Sequence, residues 1–219
     1  MPPIAAAGCS DVMSALVLLR HGPTAWSATH RLQGRTDLPL SGHGRAVVES
    51  WRLPETVVPY VWMSSPLRRC RETAEILRRQ CAPAGPLRVE PRLTEMSFGD
   101  WEGRTLAELR SMQGPALIEL EGRGLDFRAP DGESPRDVQV RLKPWLQELD
   151  AHGDVLAITH KGVIRALYAL ASGWDMRGKP AHRLLDGRLH AFAVDRTGLR
   201  IESLNIPLRS DIPVAGTSA

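Results

Sequence analysis

The sequence predicts an α/β fold: three layers, with a mostly parallel central sheet and helices on both faces. Three observations carry that prediction. Short aliphatic runs at Ala15–Leu19, Val57–Met63 and Asp154–Thr159 alternate with stretches of helical periodicity, the pattern of strand–helix–strand units. The first of these runs, Ala15–Leu19, is continuous rather than alternating, as expected of a strand covered on both faces. Polar groups, namely Arg20-His21, Ser65 to Arg69 and Thr159-His160, stand where the three runs end. In open α/β sheets, sites form at the carboxyl ends of strands.

The elements follow in order. Gly42 to Trp51 has helical character. Ser65 and Pro66 read as N-cap and first residue of a helix, with Leu67, Cys70, Ala74, Leu77 and Cys81 forming its apolar stripe. Leu87–Val89 is a short strand, and one or two short helices fit between Gly103 and Gly122. A loop at Asp126–Glu133 leads to the capping box Ser134-Pro135-Arg136-Asp137. The helix that follows buries Val138, Leu142, Trp145, Leu146 and Leu149, with a kink at Pro144. Lys161–Ser172 is helical, and Leu189–Val194 pairs with Leu199–Leu204 as an antiparallel hairpin. The organisation read from this is a flexible leader at 1–14, one domain at 15–206 and a disordered tail at 207–219.

Composition narrows the function classes. With 42% hydrophobic and 24% charged residues the chain is an ordinary globular sequence. Its net charge of +3 comes from 25 scattered Arg and only 3 Lys, so no nucleic-acid partner is expected. Cys9, Cys70 and Cys81 contain no C-x-x-C pair, which argues against a disulfide framework or a zinc site. No apolar run reaches the length of a membrane span, and the start MPPIAAAGCSDV has no positive n-region. A cytoplasmic location with no membrane partner is the default expectation. The oligomeric state is not legible.

The strand ends hold histidines and arginines, a composition suited to an anion. Phosphate-loop, dinucleotide, metalloprotease and serine-elbow motifs are all absent. Present instead are LVLLRHGPTAW, RLQGRTDLPLSGHG, SSPLRRCRETAEIL, LTEMSFGDWEG, PDGES and AITHKGVIRAL, in that order. This ordered set resembles the histidine phosphatase superfamily, in the branch that contains phosphoglycerate mutases and many small-molecule phosphatases. The resemblance runs from about Leu16 to Leu167 and implies a phosphoglycerate mutase-like fold.

The resemblance also implies roles. His21 matches the nucleophile and Arg20 the arginine beside it. Arg69 matches the phosphate-binding arginine; the choice of Arg69 over Arg68 rests on the family pattern. Glu95 matches the proton donor and His160 the second pocket histidine. Gln33 and Gly34 match a loop that closes the phosphate site. Ser27 stands where relatives usually have Asn, Lys161 where they often have Gly, and Asp131 where Gly is commoner. Ser27 and Lys161 join the expected substrate contacts, and Trp26 and Trp101, inside motifs, are candidates to wall the pocket. His30, His43, His152, His182 and His190 read as surface or packing residues.

The chemistry agrees with these roles. A phosphoryl group is anionic, so attack on it needs a cationic field, here Arg20, Arg69 and His160. A neutral imidazole attacks phosphorus while a carboxyl protonates the leaving oxygen. No metal and no cofactor is expected. The resulting expectation is a phosphatase acting on small phosphate esters through a phosphohistidine. The alternatives are a phosphoglycerate mutase-type isomerase and an inert phospho-ligand binding module. Relatives that are mutases carry a longer insertion after the Glu; here 38 residues separate Glu95 from Ser134, which favours hydrolysis.

Overall fold

A computed structural model describes residues 13–210. Residues 1–12 of the expected leader, with Cys9, and residues 211–219 of the expected tail lie outside the described residues.

The chain enters as β1 (Ser14–Arg20) and turns through the short α1 (Ala25–Ala28). Ser41 caps α2 (Gly42–Ser50), accepting from the Gly44 N–H at 2.9 Å. Trp51, expected in that helix, instead begins β2 (Trp51–Arg52). The strand expected at Val57–Met63 is β3 (Val61–Ser64), preceded by a 3-10 turn at Glu55–Val57. Pro59 lacks an N–H and cannot join a ladder, which delays pairing until after it.

The next helix, α3 (Arg68–Cys81), begins at Leu67 rather than at the expected Ser65 cap. Ser65 is held to the sheet by its N–H, which donates to Ile158 O at 3.0 Å. Helical geometry therefore starts two residues later. β4 (Arg88–Val89) follows, then two helices, α4 (Leu106–Gln113) and α5 (Pro115–Glu121), separated by Gly114 at φ +53°. The capping box of Ser134 and Asp137 is formed as expected at the start of α6 (Pro135–Glu148), which continues past Pro144 to its end. β5 (Val155–Thr159) leads to α7 (Lys161–Ser172), closed by Gly173 at φ +72°. The hairpin of β6 (Arg188–Asp195) and β7 (Gly198–Pro207) is longer than expected, and β8 (Arg209–Ser210) extends strand pairing into the expected tail.

The main sheet has strand order β4-β3-β5-β1-β6-β7. The first four run parallel, while β6 and β7 are antiparallel additions. β2 and β8 make a separate antiparallel pair. Successive residues of the central strands supply opposite faces. Leu16, Leu18, Val155 and Ala157 pack in one cluster with α6 and α7 side chains such as Val138, Trp145 and Leu167. Val17, Leu19, Leu156 and Ile158 pack in another with Val48 of α2 and Cys70, Ala74 and Leu77 of α3. This two-sided burial explains why these strands read as unbroken aliphatic runs. A third small cluster, with Trp101, Leu109, Leu117 and Ala129, sits in the segment between Glu95 and Ser134.

Two glycines let α2 close on the loop after β1. A Cβ on Gly44 would overlap the Pro23 carbonyl oxygen, and one on Gly22 would overlap the Val48 side chain. Helix propensity alone favours Ala over Gly by about 1 kcal/mol. Overlap with backbone outweighs that gain, so Gly44→Ala is expected to lower the urea midpoint of unfolding. A raised midpoint would mean that the loop yields freely and that this contact constrains nothing.

Candidate active site

His21 leaves the sheet immediately after β1, with its N–H donating to Thr159 O at 3.0 Å. Its Nδ1 lies 2.7 Å from Gly22 O. A carbonyl only accepts, so Nδ1 carries the proton and Nε2 keeps its lone pair. The residue is 5% exposed. Burial, then the charges of Arg20 and Arg69, push its pKa well below the ordinary imidazole value against the pull of the Gly22 bond. His21 is therefore a neutral base with a defined tautomer.

His160, at the end of β5, packs against it with ring centroids 5.1 Å apart at 60°. The Arg69 Nε–H donates to His160 Nδ1 at 3.3 Å. That leaves the proton on Nε2, which donates to Ser65 Oγ at 2.7 Å. Burial, then His21 and Arg69, hold this imidazole neutral as well. Arg69, in the first turn of α3, has no exposed surface. Its other nitrogens donate to Thr36 O at 2.8 Å and Gly34 O at 2.6 Å. A guanidinium has five N–H groups, so two are left uncommitted by these bonds.

The loop that supplies those carbonyls is itself held by Glu102. Its carboxylate accepts from the N–H groups of Arg35 and Thr36, each at 2.8 Å, and from the Thr36 hydroxyl. Gly34 adopts φ +48°, and a side chain there would run into Glu102. Ser27 closes a capping box with Thr24 and accepts from Gln33 Nε2 at 3.1 Å. It does not line the cavity and reaches it only through Gln33.

Glu95 is 8% exposed. Its oxygens accept from the N–H groups of Met96 at 2.9 Å and Gly162 at 3.2 Å. Burial still raises its pKa above the usual carboxylate value, against those two bonds and the charges of Arg69 and Arg20. A Cβ at position 162 would overlap the Glu95 carboxylate, so any larger residue there would displace it. Arg20 forms an ion pair with Asp186 at 2.6 Å. Its buried Nε has no partner, nor does the buried Gln33 Oε1.

These groups surround a cavity of about 290 Å³ lined by Arg20, His21, Gln33, Gly34, Glu95 and Lys161, among others. Arg69 and His160 lie buried behind it. All the expected residues except Ser27 therefore converge on one place. Trp26 and Trp101 do not wall the cavity; Trp101 belongs to the small cluster and Trp26 lies under Gly103. The sequence reading missed three residues. Glu102 stands in the quoted W-E-G motif, and a carboxylate there is a usable signal. Ser65 was assigned as a cap and instead holds His160. Arg165 also lines the cavity; its place in the quoted AITHKGVIRAL run, one helical turn after Lys161, is a usable signal. Among the described residues no three His, Cys, Asp or Glu cluster so as to hold a metal ion. No helix there is long and apolar enough to cross a membrane.

Known proteins share this sequence pattern and fold. The chain is 32% identical over 162 residues to a 2,3-bisphosphoglycerate-dependent phosphoglycerate mutase 2 of Gloeobacter violaceus, covering 71% of this chain and 74% of that one. It is 34% identical over 163 residues to phosphoglycerate mutase-like protein 4 of Arabidopsis thaliana, covering 71% and 70%. A mycobacterial glucosyl-3-phosphoglycerate phosphatase, solved with VO3, superposes with a TM-score of 0.72 at 28% identity, covering 88% of this chain and 99% of that one. YhfR of Bacillus stearothermophilus superposes with a TM-score of 0.74 at 30% identity, covering 88% and 96%. The description "Histidine phosphatase superfamily (branch 1)" matches residues 16–207, and with that match the chain belongs to the histidine phosphatase superfamily.

Proposed function

We propose that this chain is a phosphatase that hydrolyses small phosphate monoesters through a phosphohistidine on His21. One observation carries the reading. His21 is a neutral imidazole whose Nδ1 proton is tied to Gly22 O, leaving the Nε2 lone pair for attack. It stands beside a carboxyl that burial inclines toward its protonated form. One shift favours the unprotonated imidazole and the other the protonated carboxyl, the forms that a nucleophile and a general acid require.

In the first step His21 Nε2 bonds to phosphorus and the P–O bond to the alcohol breaks. The leaving oxygen takes the proton of Glu95. Arg20, with its unpartnered Nε, the two spare N–H groups of Arg69, and Lys161 neutralise the phosphoryl oxygens. In the second step Glu95 takes a proton from water, the hydroxyl oxygen bonds to phosphorus, and the P–N bond breaks to release inorganic phosphate. His160 fixes Arg69, Gln33 and Gly34 shape the oxygen-binding loop, and Ser27 sets the Gln33 amide. No step needs a metal or cofactor.

Hydrolysis rather than isomerisation is supported by the short cover. The segment between Glu95 and Ser134 forms only α4, α5 and short turns over a small cluster. A mutase has to keep water from its phosphoenzyme. The mutase names among the relatives favour the second reading, in which the phosphoryl group returns to another oxygen of the substrate. With 3-phosphoglycerate, released phosphate is expected to match substrate consumed; accumulation of the isomerised ester with little free phosphate selects the mutase.

Rapid quench with ³²P-labelled substrate is expected to trap acid-labile, base-stable label on His21. His21→Ala should lower kcat by at least about 1,000-fold, as expected for loss of a covalent nucleophile. Label on a serine or cysteine would refute the phosphohistidine.

Glu95→Gln is expected to slow alkyl phosphates by about 100- to 10,000-fold, the usual range for a general acid. It should slow p-nitrophenyl phosphate far less, since that phenolate leaves without a proton. For the unaltered enzyme on an alkyl phosphate, kcat/KM should rise as His21 loses its proton, well below pH 6.5. It should fall as Glu95 loses its own, above the usual carboxylate range. Glu95→Gln should abolish the falling limb; equal losses on both esters with both limbs intact would assign Glu95 to substrate positioning alone.

A further inference from the structure

Beside the catalytic cavity lies a second one of about 420 Å³, and the two share Lys161 and Arg165 as a common wall. Lys161 and Arg165 are one helical turn apart on α7 and so project from the same face. Lys179 and Arg183, from the segment after α7, complete the cationic lining, and no carboxylate lines this cavity. Among the described residues Arg165, Lys179 and Arg183 make no ion pair, and Lys161 is only 3.9 Å from Asp186, which Arg20 holds more closely at 2.6 Å.

Arg165 is the most informative of the four. Its guanidinium lies over the Trp174 ring, 5.1 Å from the centroid. Trp174 is in turn fixed by an Nε1–H donated to Arg177 O at 3.1 Å and by a T-shaped contact with Tyr168. Burial lowers the Arg165 pKa, and no anion offsets it. A largely buried cation without a counter-charge is costly, and an aromatic face returns only part of that cost. Four cations lining a cavity that shares its wall with the phosphoryl site form a place for a second negative group on the same ligand.

We infer that the Lys161–Arg165–Lys179–Arg183 cavity is a second anion subsite, so that preferred substrates are phosphate monoesters whose alcohol portion carries a further anionic group, a carboxylate or a second phosphate. The inference rests on the phosphatase reading above.

Matched esters test it. 3-Phosphoglycerate against glycerol 3-phosphate isolates a carboxylate, and fructose 1,6-bisphosphate against fructose 6-phosphate isolates a second phosphate. In at least one pair, kcat/KM for the doubly anionic ester is expected to exceed its partner by about tenfold or more, the scale of one or two charge-assisted hydrogen bonds. The pair that shows it identifies the group. Lys179 and Arg183 are exposed, so Lys179→Ala/Arg183→Ala should fold. It should bring the ratio to within about threefold while p-nitrophenyl phosphate hydrolysis stays within about twofold, since one charge-assisted contact is worth more than that. Arg71→Ala/Arg79→Ala, which removes equal charge from the exposed side of α3, should leave the ratio intact. Equal kcat/KM within both pairs, a ratio that survives Lys179→Ala/Arg183→Ala, or one that Arg71→Ala/Arg79→Ala lowers equally would each overturn the subsite. Failure to hydrolyse p-nitrophenyl phosphate at all would instead overturn the phosphatase reading.

Discussion

The burial of the Arg69 guanidinium is the constraint around which the site is built. A charge with no exposed surface needs its donors satisfied, and here two loop carbonyls and an imidazole nitrogen do so. No carboxylate forms an ion pair with it among the described residues. Three of its five N–H groups are thus met, and its charge is left for an anion to balance. The same contacts fix the loop carrying Gln33 and Gly34 and orient His160. Glu102 secures that loop from the other side through the N–H groups of Arg35 and Thr36. Removing any of these partners leaves a buried polar group unpaired, which costs more than the bond itself contributes.

Burial, with the nearby positive charge second, sets the protonation of the neighbouring groups. Together they keep His21 and His160 neutral. Burial keeps Glu95 inclined to hold a proton in spite of nearby arginines. The parallel part of the sheet places these groups side by side, because β1, β3 and β5 end together and each hands its last residues to the same crevice. The antiparallel β6 and β7 complete the sheet without contributing to that crevice, though the turn before β6 supplies Asp186 to Arg20.

Much of this was legible in the sequence, and the misses have physical causes. The central strands were readable because both faces of the sheet are buried, making β1 and β5 continuous aliphatic runs. The capping box of Ser134 and Asp137 was readable because its chemistry is local. The start of α3 was not: Ser65 is bound to Ile158 O and to His160, partners distant in sequence that outcompete a local cap. The start of β3 was misplaced because Pro59 breaks a run that looks uniformly apolar. Within the site, His21, Glu95, Arg69 and His160 are legible through the ordered motifs that carry the family resemblance, with His21 and His160 also marked by their place at strand ends. Ser27 was assigned to the ligand, but its short side chain stops at Gln33. In the cationic lining of the adjacent cavity, Lys161 and Arg165 stand in a quoted motif, but Lys179 and Arg183 are not legible because they come from a segment of irregular structure.

The protonation state of His21 is the point on which the whole scheme turns, and it can be read without substrate. Long-range ¹⁵N–¹H correlation spectra of the protein labelled in its histidine rings, with His21→Gln for assignment, report the tautomer and titration of that residue. The expected result is a neutral ring protonated at Nδ1, unchanged as pH falls from 8 through the ordinary imidazole value of 6.5. A His21 that titrates at or above that value, or that carries its proton on Nε2, would contradict the buried neutral nucleophile.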